Sequence, residues 1–388
     1  MTLHIFNPDH DLALAANLAH FTAPRAGRLL HVELGFIPAI WAESGDAILV
    51  NDVEKAYRAW TQLKEECLEA GLQLADSDKD FSFITRKELS ALNACLPNLQ
   101  ISPWGWNLSL RTELLRSGMD ETALPSVETL EQYRQWSHRQ WAADHLLPEL
   151  RGLSELTVGE SKCLHHFPEI EYGQDETSLL PSSFVLKSPW SSSGRGVRVL
   201  RNGIDERTAQ WAANIIEQQG GIMLEPYYDR VLDFAMEYYI DSEGTIHYEG
   251  LSIFLTDKGA YSGNLLASEK VKADILCGYL PIELLENVRQ RLLELLAKHL
   301  KNYRGALGVD MMVVKEDGYR LHPCVELNLR RTMGHVALAL TPQQPIADSC
   351  VENSEKRLPL AVMRTVVEGQ YKLQISRVET DRAYKLFP

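Results

Sequence analysis

Residues 305–334 read GALGVDMMVVKEDGYRLHPCVELNLRRTMG, two apolar runs joined at Glu316-Asp317-Gly318. Runs rich in Val, Leu and Met around a short polar break predict two antiparallel strands, Ala306–Lys315 and Tyr319–Asn328. A three-residue connection wants a left-handed glycine at its third position, and Gly318 stands there. With Lys315 opposite Tyr319, position 310 falls opposite 324 and 308 opposite 326. Alternation then puts Glu326 and Asn328 on one face, and the odd loop length brings Asp310 to that face as well. Hard oxygen donors among apolar residues suit a magnesium ion held together with phosphate and water. Solvent-facing positions on a half-exposed sheet explain one or two of these groups and leave Asp310, set between Val309 and Met311, in need of a partner.

Upstream, Phe184–Ser188 is an apolar strand with Lys187 near its end, followed by Ser191-Ser192-Ser193-Gly194-Arg195-Gly196 and a second strand, Val197–Leu200. Small residues let successive backbone N–H groups approach phosphate oxygens, and the lysine adds a point charge beside them. The order is not that of a P-loop, where the lysine follows the glycines, and no kinase HRD or DFG partner lies downstream. On its own the stretch is equally an ordinary hairpin loop with a surface lysine. Between the two constellations, Met223-Leu224-Glu225-Pro226-Tyr227-Tyr228 passes from an apolar strand into an acidic, aromatic segment. Such a segment offers backbone groups to a purine edge and flat walls to its face, and Pro226 keeps a carbonyl that can accept. An interdomain connection with aromatic packing explains it as well.

Residues 1–105 open with a short apolar run, Leu3–Phe6, and the loop Asn7-Pro8-Asp9-His10-Asp11. Further strands at Ala47–Val50 and Phe81–Thr85, with a helix at Val53–Ala70 between them, predict an open α/β sheet. Residues 106–180 are expected as a mainly helical connecting segment, irregular after about Leu150. The 181–345 region is of α+β texture, with a helix over 205–219 stopped by Gly220-Gly221, strands at Ile222–Glu225, Asp233–Tyr239 and Ile246–Phe254, and a helix at Glu283–Tyr303. Residues 346–388 are expected as a C-terminal tail packing on the core.

The formal charge of −14 argues against a protein that coats nucleic acid, which needs clustered cations. Six scattered cysteines, with no CxxC pair, predict neither a disulfide framework nor a cysteine-rich zinc site. The N-terminal MTLHIFNPDHDLALA lacks a basic lead and an apolar stretch, so a secretory leader is not expected. No window is long and apolar enough for a membrane span, and a cytoplasmic location is the expectation. No heptad marks an oligomer interface, so the oligomeric state is left open.

Taken together, VLKSPWSSSGRGV, MLEPYY…DFAMEY and GVDMMVV…CVELNLRRTMG resemble, in order and spacing, the ATP-grasp superfamily in its carboxylate–amine ligase branch. The similarity covers roughly residues 181–340, with a weaker likeness of the first hundred residues to the family's preceding α/β domain. It implies an ATP-grasp fold with an N-terminal open α/β domain, ATP and Mg2+ (or Mn2+) as cofactors, and small carboxylate and amine substrates. By the same resemblance Lys187 holds the α- and β-phosphates while the Ser191–Gly196 loop closes over them. Glu225, Pro226 and Tyr228 would line the adenine and Asp233 would meet the ribose. Asp310, Glu326 and Asn328 would hold magnesium, and Arg330 would join Lys187 as a catalytic residue on the transferred phosphate. Arg331, Gly334, His335 and Asn264 are the candidates for substrate contact.

The family's second nucleotide lysine has no clear counterpart, although Arg111 lies near the expected place. Asn7, His10 and Asp11 follow the first strand, where open α/β sheets bind ligands, but a helix N-cap by Asp9 or Asp11 is the plainer account. The implied reaction is ATP-dependent ligation through an acyl phosphate. A catalytically silent nucleotide-binding protein, or a phosphotransferase on the same fold, would carry the same residues.

Overall fold

The computed structural model describes residues 1–72, 74, 79–96, 99–154, 159–166, 183–191, 194, 196–201, 203–257, 259–341, 360–367 and 369–378. Strands β1 (Thr2–Ile5), β2 (Ala47–Leu49), β3 (Ser82–Ile84) and β4 (Gln100–Pro103) form a parallel sheet in the order β3-β2-β1-β4. A parallel sheet covered on both faces reads as short, mainly apolar strands, and Leu3, Ile5, Ile48 and Leu49 are all buried. The crossover helix Val53–Glu69 is capped by Asp52, which accepts from the Lys55 N–H at 3.0 Å. It buries Ala56, Trp60, Leu63 and Cys67 at helical spacing. Because the chain starts in the middle of this sheet and returns on the other side of β1, the loops after β1 and β4 flank a topological switch point.

A second, antiparallel sheet has the order β5-β8-β6-β7, from β5 (Lys162–Leu164), β6 (Phe184–Lys187), β7 (Val197–Leu200) and β8 (Ile222–Pro226). Phe184, Leu186 and Ile222 form a small core with Ala212 of the helix Glu206–Gln219. Alternation along β6 therefore sends Val185 and Lys187 to the opposite face.

The third sheet is antiparallel and seven-stranded, in the order β13-β12-β9-β10-β11-β14-β15. Its strands are β9 (Arg230–Ile240), β10 (Ile246–Asp257), β11 (Ala260–Leu266), β12 (Gly305–Lys315), β13 (Tyr319–Asn328), β14 (Leu360–Val367) and β15 (Gln370–Val378). Leu360–Val367 and Gln370–Val378, within the segment expected as a tail packing on the core, supply two strands of the sheet itself. On one face Phe234, Met236 and Tyr238 of β9 pack with Leu285, Val288, Leu292 and Leu296 of the helix Ile282–His299. The connecting segment adds Leu130, Tyr133, Leu146 and Leu150 to that same core.

The register of the decisive hairpin departs from the expected one. Lys315 does lie opposite Tyr319, but Asp310 pairs with Glu326 and Gly308 with Asn328. Between Met312↔His322 and Asp310↔Glu326, β12 has one residue and β13 has Pro323, Cys324 and Val325. Pro323 has no N–H to give the ladder, and a bulge is where a strand tolerates it. The two extra residues preserve parity, so Asp310 and Glu326 share a face as direct cross-strand partners.

A further apolar core joins Phe6, Ile37 and Trp60 of the N-terminal domain to Val336 and Leu340 of the helix Met333–Leu340 and to Met363 of β14. This packing seats the loop after β1 against the end of β13. The five described cysteines are free, and among the described residues no helix is long and apolar enough to cross a membrane.

Candidate active site

The polar face of β9–β12–β13 looks across a cleft of about 810 Å3 at the open face of β6–β7–β8. Lys187, Ser191, Gly194, Glu225, Pro226 and Tyr228 line it from the small sheet's side. Asp233, Asn264, Asp310, Glu326, Asn328, Arg330 and Gly334 line it from the large sheet. Residues more than a hundred positions apart are therefore brought together around one space. Ser192, Ser193 and Arg195 lie outside the described residues.

Lys187 is buried and forms an ion pair with Glu225, its neighbour on β8. The Tyr228 hydroxyl accepts from the Gly159 N–H at 2.8 Å. Asp233 accepts from Arg230 Nη1 at 2.6 Å and from the Thr256 hydroxyl at 3.3 Å, and burial raises its pKa despite them. Gly194 has φ +71°, and a Cβ there would sit 2.0 Å from the Gly259 carbonyl oxygen, so the loop after β6 touches the β10–β11 turn only because position 194 is glycine.

Asp310 and Glu326 are adjacent carboxylates, and burial, followed by the charge of Glu326, pushes the Asp310 pKa up. Asn328 and the Arg330 charge act on Asp310 in the opposite direction. Among the described residues no three His, Cys, Asp or Glu side chains gather at metal-ligand spacing. Two crowded carboxylates and an amide oxygen beside a phosphate-sized space are nevertheless the donor set that magnesium takes with a nucleotide, so these residues fit that ion.

Arg330 is held by the N-terminal domain. Its Nε donates to Asp11 at 2.9 Å (Oδ2) and 3.1 Å (Oδ1), and its Nη2 lies 2.9 Å from Asp11 Oδ2. Asp11 is thus no helix cap, and Asp9, at the N-cap position, makes no side-chain cap bond either. Asn7 instead donates to the Gly105 carbonyl at 2.8 Å, and His10 is buried beside Asn107.

Two substrate candidates do not face the cleft. Arg331 follows Arg330 and points the other way, its guanidinium stacked 4.6 Å over the Trp41 ring. His335 lies beneath the floor, where its Nδ1 accepts from the Thr332 N–H at 3.1 Å and its Nε2 sits 3.2 Å from the Tyr238 carbonyl oxygen. Burial pushes its pKa down to about 3, so it is neutral. Arg111, near the place of the second nucleotide lysine, is committed to Glu121 and to the Pro125 carbonyl, outside the cleft.

A further cation that does line the cleft is Arg139, at the start of the helix Arg139–His145. No motif announced it: the surrounding Ser137-His138-Arg139-Gln140 is unremarkable polar sequence at a helix start. Glu237 was also missed, although it is the one carboxylate in the apolar run FAMEYYI, the same signal that picked out Asp310. It is 1% exposed, and Thr332 donates to its Oε1 at 2.8 Å. Its Oε2 lies 3.2 Å from His335 Nδ1, an atom already accepting and so unable to donate. Burial raises the Glu237 pKa to about 8, and the protonated acid is the form that can donate across that gap. Gly334 closes over it, since a Cβ there would lie 1.9 Å from Glu237 Oε1.

No protein-family model matches the chain, and no curated protein matches it in sequence. Among solved structures it is similar to N5-carboxyaminoimidazole ribonucleotide synthetase from Thermus thermophilus, over 99% of this chain and 96% of that one, with TM-score 0.50 and 12% identity. N5-carboxyaminoimidazole synthetase from Staphylococcus aureus, solved with ADP, aligns over 100% and 97% at TM-score 0.49 and 11% identity. Biotin carboxylase from Campylobacter jejuni aligns over 94% and 75% at TM-score 0.47 and 16% identity. At such identities the likeness is one of architecture: the chain has the ATP-grasp fold.

Proposed function

From an ATP-grasp fold with this cleft, we propose that the protein is an ATP-dependent ligase that joins a carboxylate to an amine through an acyl phosphate, with Mg2+. One observation carries the reading. Lys187 of β6 and the Asp310, Glu326, Asn328 and Arg330 set of β12–β13 line a single cleft from opposite sheets.

Val185, Val199, Pro226 and Tyr228, which line the cleft, would wall a base, and Asp233 would accept from a ribose hydroxyl. Lys187 and the backbone of the loop from Ser191 to Gly196 meet the phosphate chain. Asp310, Glu326 and Asn328 would hold the magnesium ion, which when bound neutralises phosphate charge and makes the γ-phosphorus a better electrophile. Asp11 fixes the Arg330 plane through Nε and Nη2, and Nη1 donates to the Arg331 carbonyl at 3.1 Å, so one N–H on each terminal nitrogen would remain for the transferred phosphate.

The reaction then needs no covalent nucleophile from the protein. A substrate carboxylate oxygen forms a bond to the γ-phosphorus as the bond to the ADP oxygen breaks. The amine attacks the acyl carbon, phosphate leaves, and the nitrogen gives its proton to phosphate or water. Placement and charge neutralisation are the protein's share, and preorganised cations in a cleft closed to water are effective at both. The acidic balance of the chain suits an enzyme of small metabolites, and we place it in the cytoplasm.

The test is ADP release over paired carboxylates and amines. Release that needs both supports the ligase. A phosphorylated product without amine gives a phosphotransferase instead, and MgATP binding with no turnover over the whole panel gives a binding protein.

A further inference from the structure

Each buried cation of the cleft is already neutralised within the chain: Lys187 by Glu225, Arg330 by Asp11 and Arg139 by Glu326. Only the last pair uses a carboxylate that the proposed function gives to the metal. Arg139 Nη2 donates to Glu326 Oε2 at 2.7 Å, while its Nη1 donates to the Ser188 carbonyl at 2.5 Å and to the Ser191 hydroxyl at 2.9 Å. The side chain is 5% exposed, so water does not share the charge. Its Nε is buried with no partner. One guanidinium thus ties the start of the loop after β6 to the strand that carries Glu326, with a donor still unused.

We propose that Arg139 is the resident counter-ion of Glu326 and makes metal binding conditional on nucleotide. The inference rests on the cleft being the MgATP site. A divalent cation entering alone either takes Glu326 Oε2 from Arg139, so that the buried guanidinium loses its nearest anion, or settles on Oε1 against the charge of a guanidinium 2.7 Å from the same carboxylate, and both are unfavourable. A triphosphate changes this, because its oxygens offer the guanidinium new charge-assisted bonds and match the idle Nε with a second, parallel donor. Glu326 is then free to join Asp310 and Asn328 on the metal. Nucleotide and metal are coupled positively, and by linkage each raises the affinity of the other by the same factor. The hand-over also bears on Ser188 and Ser191, which the same guanidinium holds.

The test titrates Mn2+ into the full chain without nucleotide, by calorimetry and by the Mn2+ paramagnetic signal. Arg139→Gln should bind Mn2+ alone at least about 10-fold tighter than wild type, roughly 1.4 kcal/mol. The same variant should bind ATP without metal about 10-fold more weakly. Mn2+ affinity equal to or below that of wild type overturns the inference, and if wild type still binds MgATP the nucleotide reading survives it. A wild type that binds no MgATP overturns both. Should Arg139→Gln fail to fold, wild-type crystals decide. Soaked in Mn2+ alone they should show no anomalous peak at Glu326, and with Mn2+ plus a non-hydrolysable ATP analogue they should show one, with Arg139 moved off Oε2. A peak at Glu326 without nucleotide overturns the proposal.

Discussion

Replacing Asp11 by alanine removes the anchor of Arg330. The two side chains are 14% and 15% exposed, and the guanidinium meets both carboxylate oxygens at 2.9 and 3.1 Å. Breaking a buried pair by deleting one partner costs about 3–5 kcal/mol, most of it the unpaired charge left behind. Glu326 and Asp310 also attract Arg330 and remain in the variant, so the loss here should be smaller, about 2–3 kcal/mol. Asp11 belongs to the N-terminal domain, so the destabilisation should appear in urea unfolding as an earlier midpoint, with that domain separating from the large sheet first. Catalysis should suffer separately. A guanidinium free to drift by about 1 Å from the transferred phosphate costs on the order of 100-fold in kcat. The KM for ATP should change little, because Asp11 does not line the nucleotide side of the cleft. Asp11→Asn, which keeps one acceptor oxygen without the charge, should fall between alanine and wild type. If Asp11→Ala keeps both the wild-type urea midpoint and the wild-type rate of ADP release, Arg330 owes nothing to Asp11 and its assignment to the transferred phosphate loses its support.

Lys187→Ala should weaken MgATP binding about 10–100-fold, the size of a lost charge-assisted bond, and an unchanged dissociation constant by calorimetry would remove Lys187 from the site. Glu326→Gln should abolish ADP production and lower the melting temperature, because the buried Arg139 loses its charged partner, while circular dichroism still reports a folded chain; turnover at the wild-type rate would count decisively against the oxygen trio. The buried Glu237 carboxyl, shifted from 4.5 to about 8, holds its proton more tightly in the folded chain than in the unfolded one. Its stabilising share is therefore complete below pH 4.5 and is lost as pH rises to about 8. Glu237→Gln, which cannot ionise, should gain stability relative to wild type across that window, and a pH-independent difference in urea midpoint would refute the buried, protonated state.

Much of the architecture was legible because it rests on local patterns. The alternation in β6, β9 and β12 marked which residues turn away from the core, and Gly318 and Gly220 ended elements where their backbone requires glycine. What stayed hidden depends on contacts far apart in the chain. The bulge at Pro323–Val325 changed the partners of Asp310 without changing its face, so parity was recoverable and pairing was not. Leu360–Val367 and Gln370–Val378 form strands, yet the place of β14 beside β11 follows from edge pairing that no local pattern encodes. Arg331 and Arg330 are neighbours of identical chemistry, and the positions of Trp41 and Asp11, both far away in the sequence, decide which of them leaves the cleft. Asp11 reached Arg330 across 319 positions of sequence, and Arg139 reached Glu326 across 187.

The most direct measurement is a crystal structure of the full chain with magnesium and a non-hydrolysable ATP analogue. The account predicts the triphosphate lying between Lys187 and Arg330, with the metal on Asp310, Glu326 and Asn328. A complex in which that space stays empty, with the analogue bound elsewhere on the chain, would contradict it.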